Sequence, residues 1–195
     1  MTKFLNREST HPIQPAFLSR ISYHAFSEER LSDEELASLF EAARWAPSSY
    51  NAQPWRFSYS RRGDREWETF FNVLVEFNKL WCKHADTLIV VASKNRFEFN
   101  GQIAPTSHFD TGAAWMSLAL EAEARNILTH GMQGFDYEAI KKSLKISDDF
   151  TVEAMIAIGK HGQTERLPEE LQAKEVPSTR KPLEAIVARG YFPFT

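Results

Sequence analysis

Ala46-Pro47-Ser48-Ser49-Tyr50-Asn51-Ala52-Gln53-Pro54-Trp55-Arg56-Phe57 places Ser48, Ser49, Asn51 and Gln53 between two prolines and bounds them with tryptophans. Proline lacks an amide donor and clashes in a helix interior, so the segment reads as a rigid, non-repetitive loop. A loop that presents polar donors in fixed positions suits ligand binding. The same residues also suit a turn cluster that caps a helix and satisfies its own backbone.

Upstream, Ser32-Asp33-Glu34-Glu35 forms a capping box that opens an apolar stripe of Leu36, Leu39, Phe40 and Ala43. This predicts a helix to about Trp45, ended by Pro47. Downstream, Trp55 to Arg61 sets Phe57 and Tyr59 against Ser58 and Ser60, as in a half-buried strand. Beyond the Arg62-Gly63 turn, Asp64 is placed to cap one helix whose buried face carries Trp67, Phe70, Phe71, Leu74, Phe77 and Trp81. Asn78 lies on that face, where an unpaired amide would cost about 1–3 kcal/mol, so it requires a partner, most simply a backbone carbonyl. Thr87 to Ser93 is continuously apolar and fits the middle of a sheet. Residues 94–108 form a long polar loop, expected to line a site as a lid. Asp110-Thr111-Gly112 starts a helix apolar nearly all round, expected to be buried throughout. That helix fits either a monomer's centre or the packing surface for a second copy.

His130-Gly131-Met132-Gln133-Gly134-Phe135-Asp136 reads as a loop whose glycines allow close backbone approach to a ligand, or one that merely starts a helix with cap Asp136 and a Phe135/Ile140 staple. Thr151 to Gly159 alternates as a strand with one dry face, and the core is expected to end there. Pro182 fits the first position of a short helix closed by Gly190, with Arg180 and Lys181 beside its N-terminus. Near the other end, residues 1–19 read as an arm that becomes ordered near Phe17. Arg20, Ser22 and His24 alternate along an extended segment, a geometry able to hold an anion.

Composition narrows the function. The 195 residues are 43% hydrophobic and 13% aromatic, enough for one buried domain over 1–195 with an extended C-terminal segment over 160–195. A net charge of −3 and the lack of a basic run argue against nucleic acid and anionic membranes. No membrane span or leader is evident, and the one cysteine, Cys82, fits a reducing compartment, so a cytoplasmic protein is expected. Cys82-x-His84 lacks further ligands, so no metal is expected. Rossmann, Walker and serine-hydrolase motifs are missing.

The opening run resembles the Pro-Ser-Ser-x-Asn-x-Gln-Pro-Trp motif of the nitroreductase family. Arg20-x-Ser22-x-His24 followed by an aromatic is similar to that family's N-terminal segment, with histidine where a permanently charged residue stands. Asn78-x-x-Trp81, the Gly131–Phe135 stretch and Arg180-Lys181-Pro182-Leu183-Glu184 also resemble family segments, with Gly131 at the place of a proline. The resemblance covers about residues 20–190. It implies an α+β fold with a largely antiparallel central sheet surrounded by helices, and a homodimer with FMN at the interface. It also implies ping-pong transfer from NADH or NADPH through FMN to a small-molecule acceptor such as a nitroaromatic or quinone. Arg20, Ser22, His24, Arg180 and Lys181 would hold the phosphate and ribityl chain. Pro47, Ser48, Ser49, Asn51, Asn78, Gly131, Met132, Gln133 and Gly134 would frame the ring, and no catalytic side chain is required. Specialised relatives, such as reductive dehalogenases or flavin-consuming enzymes, share these motifs, as does a non-catalytic flavin-binding storage protein.

Overall fold

In the computed structural model, which describes residues 7–194, four antiparallel strands lie in the order β1-β2-β4-β3. They are β1 Trp55–Arg61, β2 Thr87–Lys94, β3 Ile127–Met132 and β4 Phe150–Lys160. Seven helices surround them: α1 Ala16–Ser19, α2 Asp33–Arg44, α3 Trp67–Phe71, α4 Glu76–Cys82, α5 Ser107–Ala124, α6 Tyr137–Ser143 and α7 Glu169–Gln172. The architecture is the α+β arrangement expected.

β2 and β4 occupy the middle of the sheet, with Thr87 opposite Ile158 and a bulge at Val91/Ala92. Alternate side chains of each enter different cores. Leu88, Val90, Met155 and Ala157 meet Trp81, Phe70 and Leu128 on one face, while Ile89, Val91, Ile156 and Ile158 meet Leu39, Ala114 and Leu118 of α2 and α5 on the other. Truncating any of these leucines or isoleucines to alanine should cost about 2–5 kcal/mol.

Local signals mostly become the elements expected. Ser32 Oγ accepts from the Glu35 amide and Glu35 returns the bond to the Ser32 amide, so the capping box is formed. Asp136 caps α6 through the Ala139 amide, 2.9 Å, with Phe135 and Ile140 both buried.

Several expectations are corrected. The single helix after Asp64 is two short ones, because the chain turns at Asn72 and Val73 and Leu74 then pairs antiparallel with Phe135. The Val75 amide donates to the Gly134 carbonyl, 3.0 Å, and the Asp136 amide to Val73, 2.8 Å. The turn of the chain at that break leaves Phe77 half-exposed, and the Asp64 carboxylate accepts from the Arg61 amide instead of capping. Along β1, Ser60 is buried and Tyr59 exposed. α5 begins at Ser107 and buries one face only, leaving Phe109 80% exposed. β4 is dry on both faces where it runs between β2 and β3. The core continues past it to Leu167 and Leu171, and in place of a helix closed at Gly190 there is one exposed 3-10 turn, Leu183–Ala185. Finally, His130 to Met132 belong to β3, not to a loop: Gly131 faces Ile156 and Met132 faces Met155 of β4.

Candidate active site

The Pro47–Gln53 loop is held in shape from inside and from α5. Ser48 Oγ accepts from the Gln53 amide at 2.9 Å, the Asn51 amide donates to the Ser48 carbonyl at 3.0 Å, and the Ser49 amide donates to Asp110 Oδ2 at 3.1 Å. Thr106 Oγ1 donates to the same carboxylate oxygen, 3.1 Å. Tyr50, Asn51 and Gln53 carry φ of 53°, 53° and 49°, left-handed conformations that L residues adopt at a cost of about 1–3 kcal/mol each. Tyr50 is 80% exposed, packed only edge-on to Phe97 at 5.6 Å and beside Phe99 at 5.8 Å. Residues 95–104 thus lie against this loop. Asn51 tolerates such backbone and Ser48 supplies a local acceptor, while Tyr50 and Gln53 hold theirs at a cost.

The polar groups expected at the anion end come from distant parts of the chain. Arg20 follows α1, its Nη1 donating to Ser22 Oγ at 3.4 Å, while its Nε is buried without a hydrogen-bond partner. Arg180 Nη1 donates to Ser178 Oγ and to the Thr179 carbonyl, both at 2.9 Å. Arg7, which no sequence signal singled out, joins them. Its Nε and Nη2 reach the carbonyl and Oγ of Ser178 at 3.0 and 2.9 Å, and its Nη1 reaches the carbonyls of Leu18 and Arg20 at 3.1 and 2.9 Å. Burial and the Arg180 charge lower the pKa of Arg20, with Glu123 opposing, and burial, Arg180 and Arg20 lower that of Arg7. Among the described residues none of the three guanidiniums is ion-paired to a carboxylate. A cluster of like charges with an orphaned buried N–H is satisfied by a multiply charged anion with several acceptor oxygens, such as a phosphate. Lys181 is exposed beside Arg180.

His24 has a different neighbour. Its Nδ1 lies 2.7 Å from Glu175 Oε1, and its ring packs edge-on to Trp81 and 4.6 Å from His130. The backbone amides of His24 and Ala25 also donate to Glu175, at 2.8 and 3.2 Å. Burial pushes the Glu175 carboxyl up, but these bonds outweigh it and hold the pKa below the ordinary carboxylate value. Burial lowers His130 from 6.5 to about 4, so its ring is neutral at pH 7 beside the Tyr23 carbonyl, 3.0 Å away. Glu175 therefore ties the Arg180-bearing segment to the Arg20-bearing one, a link hidden in a charged tail with no sequence pattern.

Asn78 is buried and donates from Nδ2 to the Gly134 carbonyl at 3.0 Å. A Cβ on Gly134 would lie 2.7 Å from that nitrogen, so the glycine is what admits the asparagine. A Cβ on Gly131 would come 3.2 Å from the Trp115 ring of α5. Met132 points into the core, with Sδ 3.8 Å from Cys82 Sγ, whereas Gln133 is exposed.

One chain does not bring all these residues together. The 20–24 segment meets β3 through His130 and Tyr23, and Glu123 near the end of α5 acts on Arg20. The Ser48–Asn51 loop is tied to Asp110 at the start of that helix. At 1.5 Å per residue, Asp110 and Glu123 are about 20 Å apart along the axis. Among the described residues no group of three or more His, Cys, Asp or Glu is arranged to hold a metal, and no helix is long and apolar enough to cross a membrane.

The model of the nitroreductase family matches residues 18–66 and 64–160 of this chain. A solved oxidoreductase containing FMN is 39% identical, with a TM-score of 0.94 and 100% of both chains covered. A chain from Desulfovibrio desulfuricans, solved in complex with FMN, shares the fold at 23% identity, with a TM-score of 0.74 over 95% of this chain and 100% of its own. The oxygen-insensitive NADPH nitroreductase of Helicobacter acinonychis is 33% identical over 108 residues, which are 55% of this chain and 47% of that protein.

Proposed function

The chain belongs to the nitroreductase family, and on that premise we propose that it is an FMN-dependent oxidoreductase carrying electrons from NADH or NADPH to a small-molecule acceptor such as a nitroaromatic or quinone. The observation that carries this reading is the cluster of Arg20, Arg180 and Arg7 with the buried, unpartnered Arg20 Nε, which fits a terminal phosphate. Bound FMN supplies the hydride chemistry, and the protein supplies binding, orientation and electrostatics.

In this reading Arg20, Ser22, Arg180 and Lys181 hold the phosphate and ribityl chain. His24 serves them through Glu175, by fixing the segment that carries Arg180. Asn78 and the backbone from Gly131 to Gly134, including Met132 and Gln133, frame the ring, with the Asn78–Gly134 bond setting the spacing between α4 and the end of β3. No side-chain acid or base is required. Reductant and acceptor use the site in turn, which makes the kinetics ping-pong.

The Pro47, Ser48, Ser49 and Asn51 loop comes from a second copy. Its anchorage at the start of α5, about 20 Å from the Glu123 end that faces Arg20, supports this. Two α5 helices packed antiparallel would bring each loop to the other chain's arginines. A single FMN-binding domain and a cytoplasmic location belong to the same proposal.

Purified protein should be yellow, release FMN on denaturation, and oxidise NADH or NADPH with parallel double-reciprocal lines against a quinone acceptor. Colourless protein that FMN does not reconstitute would overturn the reading. For the shared site, an Arg20→Ala/Arg180→Ala chain refolded with a Ser49→Ala/Asn51→Ala chain should recover activity in mixed dimers. Absence of recovery in demonstrated heterodimers would place each site within one chain.

A further inference from the structure

We propose that Arg7 is a positioning residue that makes this site selective for a phosphorylated flavin, by adding a third guanidinium to the Arg20–Arg180 cluster and fastening that cluster together. The inference rests on the flavin reading above and concerns a residue of the N-terminal arm outside every motif that led to it.

The contacts of Arg7 separate its charge from its hydrogen bonds. Its donors go to neutral oxygens only: Ser178 O and Oγ on one side, and the carbonyls of Leu18 and Arg20 on the other. Carbonyls hold a guanidinium in place without neutralising it, so the positive charge is delivered to the cluster intact. The same Ser178 Oγ also accepts from Arg180 Nη1 at 2.9 Å, which makes one hydroxyl oxygen the junction of two guanidiniums. Arg7 thereby joins the chain at residue 178 to the turn at residues 18–20, and the segments that carry Arg180 and Arg20 meet across it. Like charges gathered this way repel one another, and the burial of Arg20 deepens the cost. An anion offsets both effects, a neutral ligand neither. A phosphate carrying up to two negative charges gains most from a third cation, and a flavin without phosphate gains nothing. Direct contact between Arg7 and the ligand is not required, because its charge acts through space within a Debye length, about 8–10 Å at ordinary salt.

The test uses apoprotein titrated with FMN and, separately, with riboflavin, followed by quenching of flavin fluorescence, for the wild type and for Arg7→Gln and Arg7→Lys. Arg7→Gln should bind FMN about tenfold more weakly, the scale of one charge-assisted interaction, while its riboflavin affinity stays that of the wild type. Arg7→Lys should fall between wild type and Arg7→Gln, since it retains charge and loses the fork of hydrogen bonds. Added salt should narrow the difference between wild type and Arg7→Gln. Equal weakening of FMN and riboflavin in Arg7→Gln would make the residue a structural clamp only and overturn the proposal. So would an unchanged FMN affinity, or a lysine variant no better than the glutamine one. Failure of the parent reading is seen separately: the wild type would then bind neither flavin.

Discussion

The Ser48–Gln53 loop and the Arg7–Arg20–Arg180 cluster solve the same problem, holding polar groups ready, in opposite ways. The loop spends backbone strain at Tyr50, Asn51 and Gln53 but satisfies itself, through Ser48 Oγ, the Asp110 carboxylate and its own amides. The cluster has ordinary backbone and unsatisfied charge, with three guanidiniums drawn together and a buried Nε unpartnered. A self-satisfied element contributes to the apoprotein; a frustrated one costs stability until its ligand arrives. Damage to the two regions should therefore be visible in different states of the protein.

The largest effect is expected from Arg20→Gln/Arg180→Gln. FMN affinity should fall at least about 100-fold, the loss of two charge-assisted contacts, while the unfolding midpoint of the apoprotein does not drop. A destabilised apoprotein would mean that the cluster is structural, and the contrast with the loop would disappear. Next is Asp110→Ala, which removes the acceptor for the Ser49 amide and Thr106 Oγ1. It should cost about 1–3 kcal/mol in the apoprotein and speed amide exchange at Ser49, with no faster exchange at Arg20 to Ala25. Exchange rising in both segments would show that the loop and the cluster's strand open as one unit.

The most gradual effect belongs to His130 behind the cluster, since it is spread over a range of pH. His130 has its pKa lowered from 6.5 to about 4 by burial, so the unfolded chain takes up a proton there that the native state refuses. Stability should decline as pH falls from 6.5 toward about 4, by at most about 1.4 kcal/mol per pH unit, and the part of that decline above the ordinary carboxylate range should vanish in His130→Gln. Glu175, with its depressed pKa, works in the same direction, since its contribution is complete above the ordinary carboxylate range and is lost as pH falls through its native pKa. An identical slope in His130→Gln would leave His130 out and assign the acid sensitivity to Glu175 and its neighbours.

Legibility in the sequence followed the range of the interaction. Ser32 with Glu35, and Asp136 with Ala139, form bonds between residues three apart, and both were readable as helix starts. The apolar run of β2 and the alternation of β4 identified strands, and the Pro47–Pro54 punctuation identified a loop. The break between α3 and α4 was not readable, because Leu74 keeps helical spacing and leaves the helix only to pair with Phe135. β3 was hidden by Gly131 and Gly134, whose purpose is close packing against Trp115 and Asn78. Of the residues that resemble the family's site, Asn78 and Ser48 have the local roles that their spacing suggested, partnering a backbone carbonyl and a backbone amide.

From the amino-acid sequence alone came the helix starts, most of the strands and the loop, since periodicity, caps and prolines act over a few residues and leave contiguous traces; the fold class came only through the family resemblance those motifs carry. Tertiary structure alone decided that His24 turns to Glu175, that Arg7 joins Arg20 and Arg180, and that the loop stands at the far end of α5 from them. Each of these depends on segments up to 171 positions apart meeting after the sheet has formed. A charged side chain carries no mark in the sequence of which distant charge it will face, because Coulomb interaction depends on distance in space and burial, and both are products of folding.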